Sequence, residues 1–256
     1  MDTNRNVRNG PISTGYRALD DVMGGLLPGG VTLIASRPAM GGFGLALNMV
    51  SRLSRQLSGN ILIISPRFGP NGVTIRLLNI GMELEAGKML DGSLSAAEMA
   101  DKCAQFFNYQ KSHIKVEMIT CPSMESIRWH CDRIPDLKLL VIDGMERIEE
   151  RLDTASGVLR QLKELACELD VPVVCTTKLH RSLERRKNKR PRLTDLKKIN
   201  ISAELVDQVI FMYRDRYYDP EGDDSAECIV AKSSLGETGT VMLMFDDDTG
   251  SFREIP

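Results

Sequence analysis

A short loop is the first stretch of this 256-residue chain whose residue types suggest chemistry. Residues 36–43 read Ser-Arg-Pro-Ala-Met-Gly-Gly-Phe. The spacing resembles the phosphate-binding motif G-x-x-x-x-G-K-[ST], in which backbone N–H groups hold phosphate oxygens, the lysine reaches the terminal phosphates and the hydroxyl binds Mg²⁺. Gly42 occupies the lysine position and Phe43 the hydroxyl position. The loop can therefore still offer amides to an anion, but it lacks both side chains that act on the phosphates and the metal.

Two polar residues that follow apolar strands are further candidates. Asp143 comes directly after the apolar run 139–142, the arrangement in which a carboxylate holds Mg²⁺ or its water in phosphoryl-transfer sites. Asp143 and Gly144 are alternatively an ordinary turn. Arg67 follows the apolar run 61–65. Because ligands of open α/β sheets bind outside the carboxyl ends of the strands, we expect both residues near the 36–43 loop.

An alternation of strands and helices must position these residues. Strands at 31–35 and 61–65 flank a helix at 42–57, and their continuous apolar runs predict a mostly parallel sheet with helices on both faces. The capping-box pattern at 95–98 predicts the start of one helix. The last strands are separated only by turns, which predicts antiparallel pairing. The remaining expected helices are 72–80, 95–110, 123–133 and 153–169, and the remaining expected strands are 114–119, 137–142, 171–176, 205–213, 226–231 and 240–245.

The segment 181–198 is strongly basic in a chain whose formal net charge is only −2. It has a net charge of +7, because nine Lys and Arg residues face two acids. Such an asymmetry favours a polyanionic partner, although a solvated loop is the alternative. Aromatic residues are absent between 180 and 200, so only electrostatic binding is supported. The candidate residues for binding a polyanion are Arg181, Arg185, Arg186, Lys187, Lys189, Arg190, Arg192, Lys197 and Lys198.

The composition, 42% hydrophobic and 27% charged, is that of a globular protein. The six cysteines form no C-x-x-C pair and the three histidines are scattered, so we assign no metal site, except Asp143 if Mg²⁺ binds. We expect a cytoplasmic protein without a membrane segment, because no apolar run approaches the ~18 residues of a span. Residues 1–12 are polar and are expected to be a tail or the remnant of a linker.

Several short stretches are typical of one protein family. They are Thr14 to Tyr16, Arg37 to Gly41, Ala46 to Met49, Lys189 to Leu196, Tyr213 to Asp215, Tyr217 with Tyr218, and Ala231 with Lys232 to Gly239. Through these stretches the chain, from about residue 12 to residue 256, resembles the RecA-like motor domain of DnaB-type replicative helicases. The resemblance implies a RecA-like P-loop fold in a single domain, 13–256, and it implies that the basic residues of 181–198 are DNA-binding residues that contact single-stranded DNA.

Departures from this family fall on the positions that carry its chemistry. Besides the two substitutions in the loop, Arg67 replaces the water-polarising carboxylate, Lys178 lies in place of a glutamine, and Ser234 replaces an arginine offered to a neighbouring subunit's nucleotide. We therefore regard Gly42, Phe43, Arg67, Lys178 and Ser234 as degenerate catalytic positions. The residues that match the family's nucleotide site are Arg37, Pro38, Ala39, Met40, Gly41, Gly42, Asp143 and Lys232.

These departures predict that no useful ATP hydrolysis remains. An arginine finger contributes about 10³–10⁵ in rate and one preorganised donor about 10²–10³. ATP and Mg²⁺ are cofactors only if the degenerate site still binds them. We further predict that Arg67 pairs with Asp143 and fills the emptied site; the alternative is that Arg67 points to solvent.

Three functions remain open at the level of the sequence. The first is an inactive helicase-like domain that binds single-stranded DNA or a replication protein. The second is a working ATPase or helicase with a deviant loop, in which Lys178, Lys232 or Arg37 replaces the lysine. The third is a regulatory or structural subunit that binds a true helicase and no DNA. Only about a dozen residues precede the domain, so we expect weak or absent self-association, with possible association with a hexameric helicase.

Overall fold

The computed structural model describes residues 10–82, 93, 95–108, 111–149, 155–219 and 221–255. Residues 1–9 of the expected tail therefore lie outside the described residues. The expected start of a helix, at 153 and 154, also lies outside them. Ile12 lies within the described part, and its backbone exchanges two hydrogen bonds with Leu26, at 2.9 and 2.6 Å.

A nine-stranded sheet within the described residues has the order β3-β2-β4-β5-β1-β6-β7-β8-β9. The first six strands in this order are parallel and the last three are joined antiparallel, which confirms the predicted mixed sheet. The strands are β1 Val31–Ser36, β2 Gly59–Ile64, β3 Ser112–Glu117, β4 Leu137–Ile142, β5 Val173–Lys178, β6 Gln208–Tyr213, β7 Ser225–Lys232, β8 Gly239–Asp246 and β9 Ser251–Glu254.

Helices cover both faces of the sheet. Alternate residues of a strand enter different cores: Ile61 and Ile63 of β2 pack with the first helices, whereas Leu62 and Ile64 pack on the opposite face. The helices are α1 Arg17–Met23, α2 Gly42–Leu53, α3 Pro70–Met82, α4 Ala96–Asn108, α5 Met124–Asp132, α6 Ala155–Leu169 and α7 Leu193–Leu196. Short 3₁₀ helices are Met145–Arg147, Arg181–Arg185, Lys197–Ile199, Ala203–Leu205 and Asp215–Tyr217. No helix in these ranges is long and apolar enough to cross a membrane.

Most predicted elements are present, with shifted ends. The capping box before α4 is confirmed, because the Glu98 amide donates to Ser95 Oγ and the Ser95 amide donates to Glu98 Oε2. The prediction that the helix after the loop reaches residue 57 is wrong, since α2 ends at Leu53. The Ser54 carbonyl accepts from the amides of Lys111 and Ser112 at the start of β3, so the chain leaves the helix there.

Candidate functional site

The 36–43 loop connects β1 to α2 at the carboxyl edge of the sheet and has a tight backbone. Ala39 and Gly41 adopt positive φ values of 64° and 88°. A Cβ added at Gly41 would lie 2.7 Å from the Phe252 ring, so this position requires glycine for both conformation and space. The loop therefore keeps a defined shape although its catalytic side chains are absent.

Two arginines that form ion pairs, Arg37 within the loop and Arg214 outside it, hold the first half of the loop in place. Arg37 donates from Nε to Glu184 at 2.8 Å and from Nη1 to the Leu179 carbonyl at 2.8 Å. Arg214 donates from Nη1 to the Ala39 carbonyl at 3.4 Å and from Nη2 to Asp247 at 2.7 Å. Two of the loop-matching candidates, Arg37 and Ala39, thus take part in holding the loop, while Pro38 lies at its exposed turn.

Met40 contributes to the core beneath the loop. Its side chain is buried and its Sδ accepts from the Arg214 amide at 3.3 Å. This candidate residue is a packing residue of the loop, and its side chain contributes no charge to the site.

Gly42 and Phe43 occupy the two positions at which the motif has a lysine and a hydroxyl. A Cβ added at Gly42 would lie 2.6 Å from Ser36 Oγ, closer than real Cβ contacts. Ser36 occupies the first glycine position of the motif, a substitution that sequence reasoning missed although the motif alone reveals it. The Phe43 ring stacks on Phe68, with centroids 5.9 Å apart and planes inclined by 3°.

Arg67 forms an ion pair with Asp143, as predicted. Arg67 Nε lies 2.9 Å from Asp143 Oδ2, and Nη2 donates to Oδ1. The Asp143 side chain is fully buried, and its oxygens also accept from the Ser65 and Thr176 hydroxyls, each at 3.2 Å. The pairing is possible because β4 lies between β2 and β5 in the sheet, which brings the residues after β2 and β4 together. The hydrogen bond to Asp143 raises the pKa of the Arg67 guanidinium.

A cavity of about 290 Å³ lies between this ion pair and the loop. Its lining includes the loop residues other than Met40, together with Arg67, Lys178 and the edge of α3. Lys178 lies 3.7 Å from Glu146. The structure thus brings together Arg67, Lys178 and the loop candidates other than Met40 around one cavity, with Asp143 bonded to Arg67.

Lys232 and Ser234 belong to different surroundings. Neither residue lines this cavity among the described residues. Lys232 Nζ donates to the carbonyls of Ala203 and Val206 at 2.8 and 2.6 Å, and Ser234 Oγ donates to the Asp207 carbonyl at 2.9 Å. Both residues thus connect the end of β7 to the segment that precedes β6.

The basic segment divides into paired and exposed side chains. Arg186 donates to both oxygens of the buried Asp195, at 3.3 and 2.9 Å, and Arg190 Nε lies 2.7 Å from Glu227 Oε2. The bond to Glu227 raises the pKa of Arg190. Lys198 Nζ donates to Ser182 Oγ at 3.0 Å. Exposed side chains without a hydrogen bond or ion pair to another described residue are Arg181, Arg185, Lys187, Arg192 and Lys197.

Three tyrosines lie beside this segment, although the sequence separates them from it. Lys189 Nζ lies 4.5 Å from the Tyr218 ring centroid, and the Arg190 guanidinium lies 4.6 Å from that of Tyr213. Tyr217 packs edge-on against Tyr218 and is 50% exposed. Although the sequence between 180 and 200 has no aromatic residue, the fold thus places aromatic rings next to this segment. This proximity depends on tertiary packing around the end of β6, so the sequence carries no signal for it.

The sequence family of DnaB-like helicase C terminal domains matches residues 11–254. The chain belongs to this family. Its fold is RecA-like, as the resemblance implies. Among curated relatives, it is 29% identical to replicative DNA helicase DnaB of Geobacillus stearothermophilus and 28% identical to replicative DNA helicase DnaC of Bacillus subtilis (strain 168). Each alignment covers 94% of this chain and 56% of the relative, so the chain spans about half the length of these relatives.

Solved structures share the fold closely. A structure of a DnaB-like replicative helicase, described with its interactions with primase, has a TM-score of 0.86 and 27% identity over 99% of this chain and 65% of that chain. A second solved structure, an ATPase domain, gives the same TM-score and identity over 99% of this chain and 94% of that chain. The positions predicted to be degenerate therefore lie within a shared DnaB-like scaffold.

The side chains at this site do not fit the Mg²⁺ and ATP that the family implies. Mg²⁺ requires oxygen ligands, but both Asp143 oxygens already accept hydrogen bonds from Arg67. Phe43 supplies no hydroxyl, and a side chain at position 42 would require the Ser36 hydroxyl to move. In this DnaB-like domain, the Arg67 guanidinium lies on the carboxylate of Asp143, where the negative charge would otherwise favour a metal ion.

Proposed function

We propose that this DnaB-like helicase domain does not hydrolyse ATP and acts by binding single-stranded DNA or another replication protein. The observation that carries the proposal is the Arg67–Asp143 ion pair. It places a guanidinium on the carboxylate that would hold Mg²⁺, and it is internal to the chain. The domain thus balances its buried acid with its own arginine.

Loss of several catalytic groups makes residual turnover negligible. Removal of one preorganised donor costs about 10²–10³ in rate, and an arginine finger contributes about 10³–10⁵. These effects are not additive within one site. Even the largest single term would nevertheless reduce a motor that turns over many times per second to a rate of little use.

The proposal of single-stranded DNA binding is supported by the five exposed cations of the basic segment and by Tyr217. Lysine and arginine neutralise phosphates and release counterions, which gives affinity without sequence preference. An exposed aromatic ring adds a surface on which a base can stack. Tyr217 packs against Tyr218, which contacts Lys189, and nearby Tyr213 contacts Arg190. The exposed ring and the basic segment therefore lie side by side.

The contacts of the three candidate replacement cations disfavour a working ATPase. Arg37 is engaged by Glu184, Lys178 lies near Glu146, and Lys232 donates to two backbone carbonyls. Each would have to leave its partner before it could reach a phosphate. A partner among the replication proteins remains part of the proposal, since one related helicase structure was described with its interactions with primase.

Two assays on the same preparation test the proposal. Fluorescence anisotropy of a labelled single strand should show binding that weakens steeply with salt, while phosphate release from Mg·ATP should stay at background with and without DNA. Tyr217→Ala should weaken DNA binding at least about fivefold, since stacking contributes about 1–3 kcal/mol per base, and Tyr217→Phe should retain it. Affinity independent of salt would leave the protein-binding role, and DNA-stimulated phosphate release would refute the proposal.

A further inference from the structure

The cavity beside the Arg67–Asp143 pair has an unusual lining for a phosphate site. Two phenyl rings, those of Phe43 and Phe68, form one wall, and Phe245 is a third ring at its border. Leu47 and Ile80 add aliphatic surface. At about 290 Å³ the cavity approaches the lower end of small-molecule pockets, which are mostly apolar with a few convergent polar groups.

The aromatic wall is bordered by a guanidinium from α3. The Arg76 guanidinium lies 3.9 Å from the Phe68 ring centroid, and Nη1 donates to the Gly72 carbonyl at 2.8 Å. Ile80 lies four residues later on the same face of α3 and also lines the cavity. Partial burial lowers the pKa of Arg76, although Asp143 opposes this shift. An arginine held over a ring is preorganised to receive an anion.

Of the positively charged side chains that line the cavity, one has no carboxylate partner among the described residues. Arg67 pairs with Asp143, Arg37 pairs with Glu184, and Lys178 lies 3.7 Å from Glu146. Arg76, in contrast, forms no ion pair with a carboxylate in that part of the chain. The first N–H groups of α2 at the same cavity have no acceptor within the helix. The cavity therefore matches one negative charge in an occupant rather than the several charges of a metal-bound triphosphate.

We infer that this cavity binds a small molecule with an aromatic body and one anionic group, without a divalent metal. The aromatic body lies against Phe43 and Phe68, and the anionic group accepts from Arg76 and the amides at the start of α2. The inference rests on the proposed function, because it requires Arg67 to remain on Asp143. It assigns to the emptied nucleotide site a ligand of different chemistry.

A pair of fluorescent probes that differ in charge tests the inference. The aromatic sulfonate 8-anilinonaphthalene-1-sulfonate has one negative charge, and N-phenyl-1-naphthylamine has a similar aromatic body without it. We expect saturable one-to-one binding of the sulfonate, equal in EDTA and in Mg²⁺, and clearly weaker binding of the neutral amine. Equal affinity for both probes, or a requirement for Mg²⁺, would overturn the inference.

Substitutions locate the probe. Arg76→Gln should raise the dissociation constant of the sulfonate about tenfold or more, the effect of losing one charge-assisted hydrogen bond. Arg76→Lys should keep most of the affinity, because it keeps the charge. Arg160→Gln is the matched control, since Arg160 is an exposed arginine of α6 outside the cavity lining. Thermal unfolding of each variant verifies its fold, and equal affinity of Arg76→Gln and Arg160→Gln would contradict the inference.

A titration with Mg·ATP distinguishes this inference from the proposed function. If Mg·ATP does not bind and the sulfonate binds at Arg76, both stand. If neither ligand binds, only the inference fails. If Mg·ATP binds tightly and displaces the sulfonate, Arg67 has left Asp143, and the proposed function fails with it.

Discussion

Arg67 and Asp143 make a two-point contact at the carboxyl edge of the sheet, with Arg67 Nε 2.9 Å from Asp143 Oδ2 and Nη2 donating to Oδ1. The acid is fully buried and the arginine is 27% exposed. The guanidinium therefore supplies the positive charge that a buried carboxylate requires. In this DnaB-like scaffold, Arg67 is thus the cation that balances the buried Asp143.

Removal of Arg67 should destabilise the domain. In Arg67→Met, the Asp143 carboxylate stays buried without its cation, a change that costs about 3–5 kcal/mol when both partners are buried. Because Arg67 is partly exposed, we expect a decrease of about 2–3 kcal/mol in the free energy of unfolding, measured in urea. Arg67→Met combined with Asp143→Asn should recover part of the loss. An unchanged unfolding midpoint in Arg67→Met would show that the pair contributes nothing to stability.

Restoration of the motif should depend on Ser36. Gly42→Lys with Phe43→Thr places a Cβ 2.6 Å from Ser36 Oγ, so we expect a loss of about 1–3 kcal/mol from overpacking. Adding Ser36→Gly removes the obstructing hydroxyl and should recover most of this stability. Thermal unfolding of the double and triple variants gives the comparison. Equal melting temperatures would mean that the loop shifts at no cost and that Ser36 does not block the lysine position.

The sequence predicts the fold and the ion pair more fully than the surroundings of the basic segment. Short apolar runs, such as 61–64 and 139–142, mark most of the parallel strands, whereas β9 is only Ser251–Glu254 and has no such run, so the sequence does not predict it. Asp143 and Arg67 follow strands, and the rule for carboxyl ends places them together. Tyr217 could not be assigned to the basic segment, because their proximity depends on tertiary packing.

Positive charge in the basic segment should set the salt dependence of DNA binding. Arg185→Gln with Lys187→Gln removes two exposed cations, and the slope of log affinity against log salt should fall by roughly 0.7 for each lost phosphate contact. Binding isotherms at several salt concentrations measure this slope. Arg160→Gln should leave it unchanged. Arg190→Gln should instead lower stability, because Arg190 is bound to Glu227; a changed slope with intact stability would assign Arg190 to DNA.

Buried thiols should make the domain less stable in alkali. Burial raises the pKa of Cys131 and of Cys175 to about 12, so both remain neutral in the fold. In the unfolded chain they ionise near pH 8.5, and the free energy of unfolding should therefore fall above that pH. By pH 9.5 the expected loss is about 1.4 kcal/mol per thiol. Cys175→Ala should flatten the pH profile between 8.5 and 10, whereas Cys167→Ser, at an exposed position, should not; identical profiles would contradict this origin.

Under the proposed function, the Arg67–Asp143 ion pair has closed the site to the nucleotide. Calorimetric titration with Mg·ATP, repeated in the presence of single-stranded DNA, tests this central claim most directly. We predict no binding at millimolar Mg·ATP in either condition, because Arg67 holds both oxygens of Asp143. A dissociation constant in the micromolar range would contradict the account, since it would mean that the loop and Asp143 still form a nucleotide site.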